Sequence, residues 1–397
     1  MVNPAMLPGV DDFRDRARRR LPRFLFDYID GGACQEVTLD ANRRDLDAIA
    51  LRQRILRDVA GADLSCELFG TRHAMPVGLA PIGLAGLSAR RGETQAVRAA
   101  NAANIPFCLS TVSACSLGEV AAAAEAPFWF QLYMMRDRGF MTDLLAQARE
   151  ADCPVLVFTV DMPVPGKRYR DYRSGLAGAS GVAGQMRRMM QAIGRPGWAV
   201  DVGLLGRPHS LGNVAPLLGA SSGLEDFMAW MSANFEPSVG WSDIDWLRRH
   251  WDGPIVVKGI LDAEDARTAV SAGVEGIVVS NHGGRQLDGV HSTATALPAI
   301  ADAAWGALTI LADGGVRSGL DVARLLALGA DGVLLGRAWA YALGAAGEAG
   351  VSRVIAIIEE ELRIALALMG EVSATAIGLH NLAGRADVLD KAVRLDP

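Results

Sequence analysis

The feature that most constrains this chain is a series of short apolar runs alternating with segments of helical periodicity. There are eight: Pro76–Ala80, Pro106–Ser110, Phe128–Leu132, Val155–Val160, Pro254–Lys258, Gly276–Ser280, Leu308–Ala312 and Gly332–Leu335. Most are apolar throughout, as parallel strands covered on both faces should be. Helix-start signals follow several of them. Ser116-Leu-Gly-Glu119 and Ser318-Gly-Leu-Asp321 have the spacing of capping boxes, and Asp262 is placed to cap the segment running towards Val270. Eight βα units predict an α/β fold, a (β/α)8 TIM barrel, although a doubly wound sheet uses the same units.

The 397 residues are read as one domain, 1–397. Residues 1–75 form an N-terminal extension of helices and a short hairpin that plugs or flanks the barrel. Residues 162–240, after the fourth run, are too many for a βα connection and are rich in Gly, Pro, Met and Arg. They are read as a loop-4 insert, functional or partly mobile.

A net charge of −6 gives no global footprint for nucleic acid. The five cysteines show no CxxC pair and no metal-ligand spacing, so reduced thiols in a cytoplasmic protein without a bound metal are expected. The opening residues MVNPAMLPGVDDFRDRARRR contain acids and no apolar core, unlike a signal peptide. The longest nearly uncharged stretch, Met75 to Ala89, is too short to span a bilayer. Peripheral attachment at the inner face of the cell membrane stays open.

Polar residues cluster at the C-terminal ends of the runs. Ser110 ends the second; Gln131 and Tyr133 end the third; Thr159 and Asp161 the fourth; Lys258 the fifth; Ser280, His282 and Arg285 the sixth. Asp313, Arg317 and Arg337 follow the last two. In a barrel these ends converge on the face where active sites form. ADGGVRSG and LLGRAW put glycine-rich turns and arginines after the seventh and eighth runs, where barrels bind phosphate through backbone N–H groups. A sugar phosphate, a nucleotide or a flavin nucleotide would each fit.

Of six histidines, His73, His209, His250, His291 and His380 have no partner identifiable from sequence. His282 follows an apolar strand and precedes two glycines and Arg285, which suits a general base, with Asp161 as the group that orients it and stabilises the imidazolium. Arg285 and Arg168 are candidates for holding a carboxylate, because a guanidinium fork matches two oxygens. Lys258 ends an apolar strand and needs an anionic partner there. The pyrimidine end of a flavin, anionic on reduction, would serve.

At these residues the chain resembles the FMN-dependent L-2-hydroxy-acid oxidase and dehydrogenase family. The resemblance runs through FDYIDGGA, ALRQRIL, MPVGLAPIGL, LST, WFQLY, FTVDMPVPGKRYRD, VVKGILDAEDA, VVSNHGGRQLDG, LADGGVRSG and LALGADGVLLGRA. MPVPGKRYRDYRSG, WAVDVGLLGRPHSLGN and GLEDF are most similar to its quinone-linked L-lactate dehydrogenase branch. The resemblance implies His282 as base with Asp161 as its partner, a substrate carboxylate on Arg285, Arg168 and Tyr28, and Tyr133 bonded to the substrate oxygen. It also implies FMN on the backbone of Ala80, Pro81, Ile82 and Gly83 and on Ser110, Gln131, Thr159, Lys258 and Ser280. Its phosphate would lie on Gly314, Gly315, Arg317, Gly336 and Arg337, with Asp313 a further cofactor-binding residue. Tyr28 enters only through this resemblance.

Two departures from the plant-type oxidase are visible. Gly83 stands where that enzyme has alanine and Val112 where it has tryptophan, so its substrate side-chain preference does not transfer. No segment similar to a haem domain precedes the barrel. The expectation is therefore oxidation of an (S)-2-hydroxy acid, first L-lactate to pyruvate, with electrons passing to quinone and His282 removing either the α-proton or the hydroxyl proton. Alternatives are an L-mandelate dehydrogenase, an oxidase that makes hydrogen peroxide, or, in another class, a flavin-free phosphate-binding barrel. The resemblance also implies a homo-tetramer. Gln185-Met-Arg-Arg-Met-Met190, with Trp198, Leu204 and Leu205, reads either as a segment lying on a membrane or as a helix covering its own barrel.

Overall fold

The computed structural model describes residues 4–178, 181–209, 211–218 and 230–384. The GLEDF motif of the insert lies outside them. A hairpin, β1 (Cys66–Leu68) and β2 (Thr71–His73), precedes eight parallel strands: β3 (Val77–Leu79), β4 (Cys108–Ser110), β5 (Trp129–Tyr133), β6 (Leu156–Thr159), β7 (Ile255–Ile260), β8 (Gly276–Val279), β9 (Thr309–Ala312) and β10 (Gly332–Leu335). Their order is β3-β10-β9-β8-β7-β6-β5-β4. A parallel bridge between Leu79 and Phe107, with the Leu79 N–H donating to Pro106 O at 2.8 Å, joins β3 to β4 and closes the ring. This is a (β/α)8 barrel, and the doubly wound alternative falls.

Each strand lies within one of the eight apolar runs or overshoots it by one or two residues. Their side chains divide by the period of two. Val157, Val256, Val278, Leu311 and Leu334 fill the interior, whereas Phe158, Val257, Ile277 and Val279 pack outward. The hairpin stops the N-terminal end of the barrel. Phe69 sets its ring 5.5 Å from that of Trp129, and Leu68 lies against the start of β10. The helix starts obey the caps. Ser116 and Ser318 form reciprocal boxes with Glu119 and Asp321, and Asp262 accepts from the N–H of Glu264 at 2.7 Å.

Three N-terminal helices, α1 (Val10–Arg20), α2 (Arg23–Asp30) and α3 (Val37–Asp47), matter most for the site. At the end of α2, buried Asp30 accepts from Arg14 at 2.6 and 2.9 Å, from Arg170 at 2.6 Å and from the Tyr341 hydroxyl at 2.6 Å. This knot ties α2 to α1, to the insert and to the last helix, Arg337–Met369. Burial opposes the charge of Asp30, but its bonds to Arg14, Tyr341 and Arg170 prevail and hold the carboxyl well below its usual range. A carboxyl depressed in the folded state adds stability above its unfolded value, 3.8, that is lost as pH falls towards the folded one. Asp30→Asn should therefore destabilise the chain at neutral pH by about 3 kcal/mol, the cost of breaking a buried ion pair. The gap to wild type should shrink as thermal melts are taken below about pH 4. Equal melting temperatures at pH 7 would remove Asp30 from this role.

Candidate active site

The C-terminal ends of the strands surround a cavity of about 1030 Å3, open mouth included. Its wall carries residues from all eight barrel strands, β3 to β10, or the loops after them, together with Tyr28 from α2. Of the residues singled out from sequence, Tyr28, Ala80 to Gly83, Tyr133, Thr159, Arg168, Lys258, His282, Arg285, Asp313 to Gly315, Arg317, Gly336 and Arg337 line it. Ser110, Gln131, Asp161 and Ser280 stand immediately behind, bonded to one another or to lining residues.

His282 occupies the left-handed region at φ 56°, a conformation costly for a residue with a side chain. Two bonds hold it there: its N–H donates to Ser280 Oγ at 3.0 Å, and its Nδ1 lies 2.9 Å from Asp161 Oδ1. Nδ1 is thus engaged and Nε2 is left for chemistry. Asp161 comes so near because the facing residue is Gly259, at φ 113°; a Cβ there would lie 2.6 Å from Asp161 Cβ. Burial works against ionisation of Asp161, yet the charge and hydrogen bond of His282, with Lys258, hold its carboxyl below the usual range.

Lys258 is nearly fully buried, with Nζ 2.7 Å from Ser280 Oγ and 2.9 Å from Asp313 Oδ2; Ser280 Oγ in turn donates to Asp313 Oδ1 at 2.7 Å. Burial disfavours its charge, but Asp313 and Asp161 more than compensate and raise Lys258 above its usual value. The anionic partner that the sequence demands is therefore supplied by the chain itself, through Asp313.

Two guanidinium groups face the same space. Arg285 donates to the carbonyls of Tyr28 (2.5 Å) and Gly31 (2.9 Å) and stands 4.9 Å from the centre of the Tyr28 ring. Arg168 is buried and bonded to Arg285 O at 3.4 Å. Its burial and the neighbouring charge of Arg285 lower it to about 10, a cost that an anion in the cavity would relieve. Burial and the Asp161 charge push the Tyr133 phenol up, so it stays protonated and able to donate.

At the far end, Arg337 donates to the carbonyls of Ile29, Gly283 and Gly31 at 2.8–2.9 Å. That uses three of the five N–H donors of a guanidinium and leaves two for an anion. Gly315, at φ 87°, lies so near α3 that a Cβ would be 2.4 Å from Asn42 O. The turn cannot carry side chains, and backbone N–H groups line the wall instead. Buried Gln131 Nε2 and Thr159 Oγ1 have no hydrogen-bond partner among the described residues. Such atoms are costly unless a ligand meets them, and a flavin's polar pyrimidine edge with a phosphate at the opposite end matches this arrangement.

Several supporting residues carry no signature in the sequence. Asn42 and Asn281 exchange side-chain bonds of 2.9 and 2.8 Å and fasten α3 to the His282 turn. Glu93 accepts from Gly86 N and Ala114 N, both at 2.9 Å, and clamps the loops after β3 and β4. At Gly83 an added methyl would meet Val112 Cγ2 at 2.8 Å, so the two departures from the oxidase pattern are neighbours in space. Four of the five remaining histidines have structural surroundings: His380 pairs with Glu371 at 3.0 Å, His250 bonds Trp246 O at 2.8 Å, His209 lies 3.1 Å from Gly203 O, and His73 is buried at the foot of the barrel. All five cysteines are free, four of them buried.

A family model described as FMN-dependent dehydrogenase matches residues 17–383. An L-lactate dehydrogenase of Caulobacter vibrioides is 62% identical over 380 residues, covering 96% of this chain and 98% of the relative. One from Chromohalobacter salexigens is 60% identical over 377 residues, 95% of each chain. Among solved structures, the monotopic membrane protein (S)-mandelate dehydrogenase superposes with a TM-score of 0.88 at 34% identity, covering 95% of this chain and 99% of that one. A mandelate oxidase with (S)-4-hydroxymandelic acid gives 0.82 at 38% identity, over 95% and 98%.

Proposed function

Because the chain belongs to the FMN-dependent dehydrogenase family and is an FMN-dependent hydroxy-acid oxidoreductase, we propose that it oxidises L-lactate to pyruvate with His282 as the base and passes the electrons to a quinone. The observation that carries the base is the 2.9 Å pair of His282 Nδ1 with Asp161 inside a cavity that also holds Arg168, Arg285, Tyr28 and Tyr133. Arg285 and Arg168 take the substrate carboxylate. Tyr133, kept protonated, donates to the substrate oxygen. Nε2 of His282 receives the proton, and Asp161 stabilises the imidazolium that results.

FMN, when bound, supplies a two-electron acceptor whose pyrimidine end becomes anionic. Ser110, Gln131, Thr159, Lys258 and Ser280 would meet that end. The turn at Gly314 and Gly315, with Arg317, Gly336 and Arg337, would hold the phosphate. L-lactate is favoured by the lactate dehydrogenases at 57–62% identity over the mandelate enzymes at 34–38%. Anaerobic bleaching of the flavin by L-lactate, L-mandelate and glycolate in parallel tests it: L-lactate should bleach fastest. Faster bleaching by L-mandelate would transfer the assignment, and rapid reoxidation by oxygen with peroxide release would replace the quinone by oxygen.

Attachment to a membrane surface is supported by an inverted helix, Gly181–Ile193. Arg188 donates to Gly175 O at 2.8 Å, Gln191 to Ser174 O at 2.9 Å, and Arg187 to Arg173 O, so its polar side faces the protein. Val182, Met186, Met189, Met190 and Ile193 are each at least half exposed, as are Val200, Leu204 and Leu205 just beyond. An exposed apolar stripe of this length suits the boundary of a bilayer. The protein should float with phospholipid vesicles in a density gradient, and Met186→Ser with Met190→Ser and Ile193→Ser should leave it at the bottom with flavin bleaching intact. Flotation unaffected by the triple change would dismiss the stripe.

A further inference from the structure

A second cavity, of about 1090 Å3 including its mouth, lies on the outer side of β6 and β7, where Phe158 and Val257 project away from the barrel interior. Met134, Pro163, Val239, Trp241 and Ile244 complete its apolar wall. The last residues of the insert roof it. Arg136 N–H donates to Asn234 O at 2.9 Å, Glu236 N–H donates to Met134 O at 3.0 Å, and the Phe235 ring stacks on Tyr133 at 4.9 Å. Tyr133, Thr159 and Met162 line both this cavity and the one that holds the catalytic groups, so three side chains separate them.

The two walls differ in chemistry. The first carries Arg168, Arg285, Arg317, Arg337 and Lys258, as an anionic substrate and a phosphate require. The second, among the described residues, carries no Arg, Lys or His and two carboxylates, Glu236 and Asp265. An anionic hydroxy acid would be repelled there. A flat neutral ring would be welcomed, held between aromatic and aliphatic side chains.

We propose that this outer cavity binds the quinone ring, beside the flavin and separated from it by Tyr133, Thr159 and Met162. The proposal rests on the quinone reading above. The chemistry balances: the hydroxy acid gives up two electrons and two protons on becoming the 2-oxo acid, and one quinone takes up both pairs to become quinol.

Gly240 provides the test, because it lines the cavity, does not adopt a left-handed backbone, and a Cβ placed on it meets nothing nearer than Ser242 Oγ at 4.0 Å. Gly240→Leu should fill the space without strain, with Val239→Trp as a second way of filling it. The full-length, FMN-loaded protein is reduced anaerobically with the hydroxy acid, then reoxidised by decylubiquinone or by ferricyanide. The variants should bleach and react with ferricyanide as wild type does, while the KM for decylubiquinone rises about tenfold or more, the loss of roughly 1.4 kcal/mol of binding. Separately, an azido-benzoquinone photolabel should attach within residues 235–244 and be displaced by decylubiquinone. If wild type is reoxidised by quinone but both variants match it, or the label maps elsewhere, the site is overturned while the acceptor reading stands. If wild type is not reoxidised by quinone at all, the acceptor reading falls and the site with it.

Discussion

His282→Ala is expected to purify with its flavin and to lose nearly all turnover. None of the atoms that would meet the cofactor depends on the imidazole. Ser280 keeps its bonds to Lys258 and Asp313, and the turn at Gly314 and Gly315 is shaped by α3. What disappears is the proton acceptor, and general-base catalysis contributes about 10²–10⁴-fold. The loss should reach the upper end of that range, because Asp161 is left buried opposite an empty space, without the imidazole that does most to offset its charge. The flavin absorbance of the purified variant and its anaerobic bleaching rate with L-lactate separate the two expectations. A yellow variant that bleaches at the wild-type rate would end the assignment of His282 as base.

The barrel was legible in the sequence because most strands are apolar runs between helix signals that act locally. Ser116, Ser318 and Asp262 cap where their spacing says they should, since a capping bond spans only two or three residues. The ring of strand-end polar residues was legible for the same reason: a barrel brings equivalent positions together whatever the intervening chain does. Pairings between distant segments left no such trace. Lys258 announces the need for an anion, but nothing local says that Asp313 supplies it. Tyr28 reaches the site because Arg285 and Arg337 bind the carbonyls of Tyr28, Ile29 and Gly31, atoms that every residue possesses. Asn42 with Asn281, and Glu93 with two loop amides, are equally silent. In the insert the helical period of Met186, Met189 and Met190 could be read, but its direction could not. That was decided by arginines and a glutamine turning inward to carbonyls at residues 173–175.

The Lys258–Asp313 pair carries the second large expectation. Lys258→Met removes one member of a buried ion pair and leaves Asp313 with the Ser280 hydroxyl as its remaining partner in that cluster, which should cost about 3–5 kcal/mol of stability. The same change removes the positive charge that would face the pyrimidine end of FMN, so flavin bleaching by the hydroxy acid should slow sharply as well. The two effects have different origins and can be separated. Lys258→Met combined with Asp313→Asn leaves no uncompensated charge in that pair, and most of the melting temperature should return. The rate should not, because the electrostatic assistance is still missing. Since Lys258 is raised in the folded state, its contribution is complete below the unfolded value of 10.5 and fades only as pH rises through the higher folded value. The stability gap between wild type and Lys258→Met should therefore be flat across neutral pH. Recovery of both stability and bleaching rate in the double variant would show that Lys258 neutralises Asp313 and does nothing for the reaction.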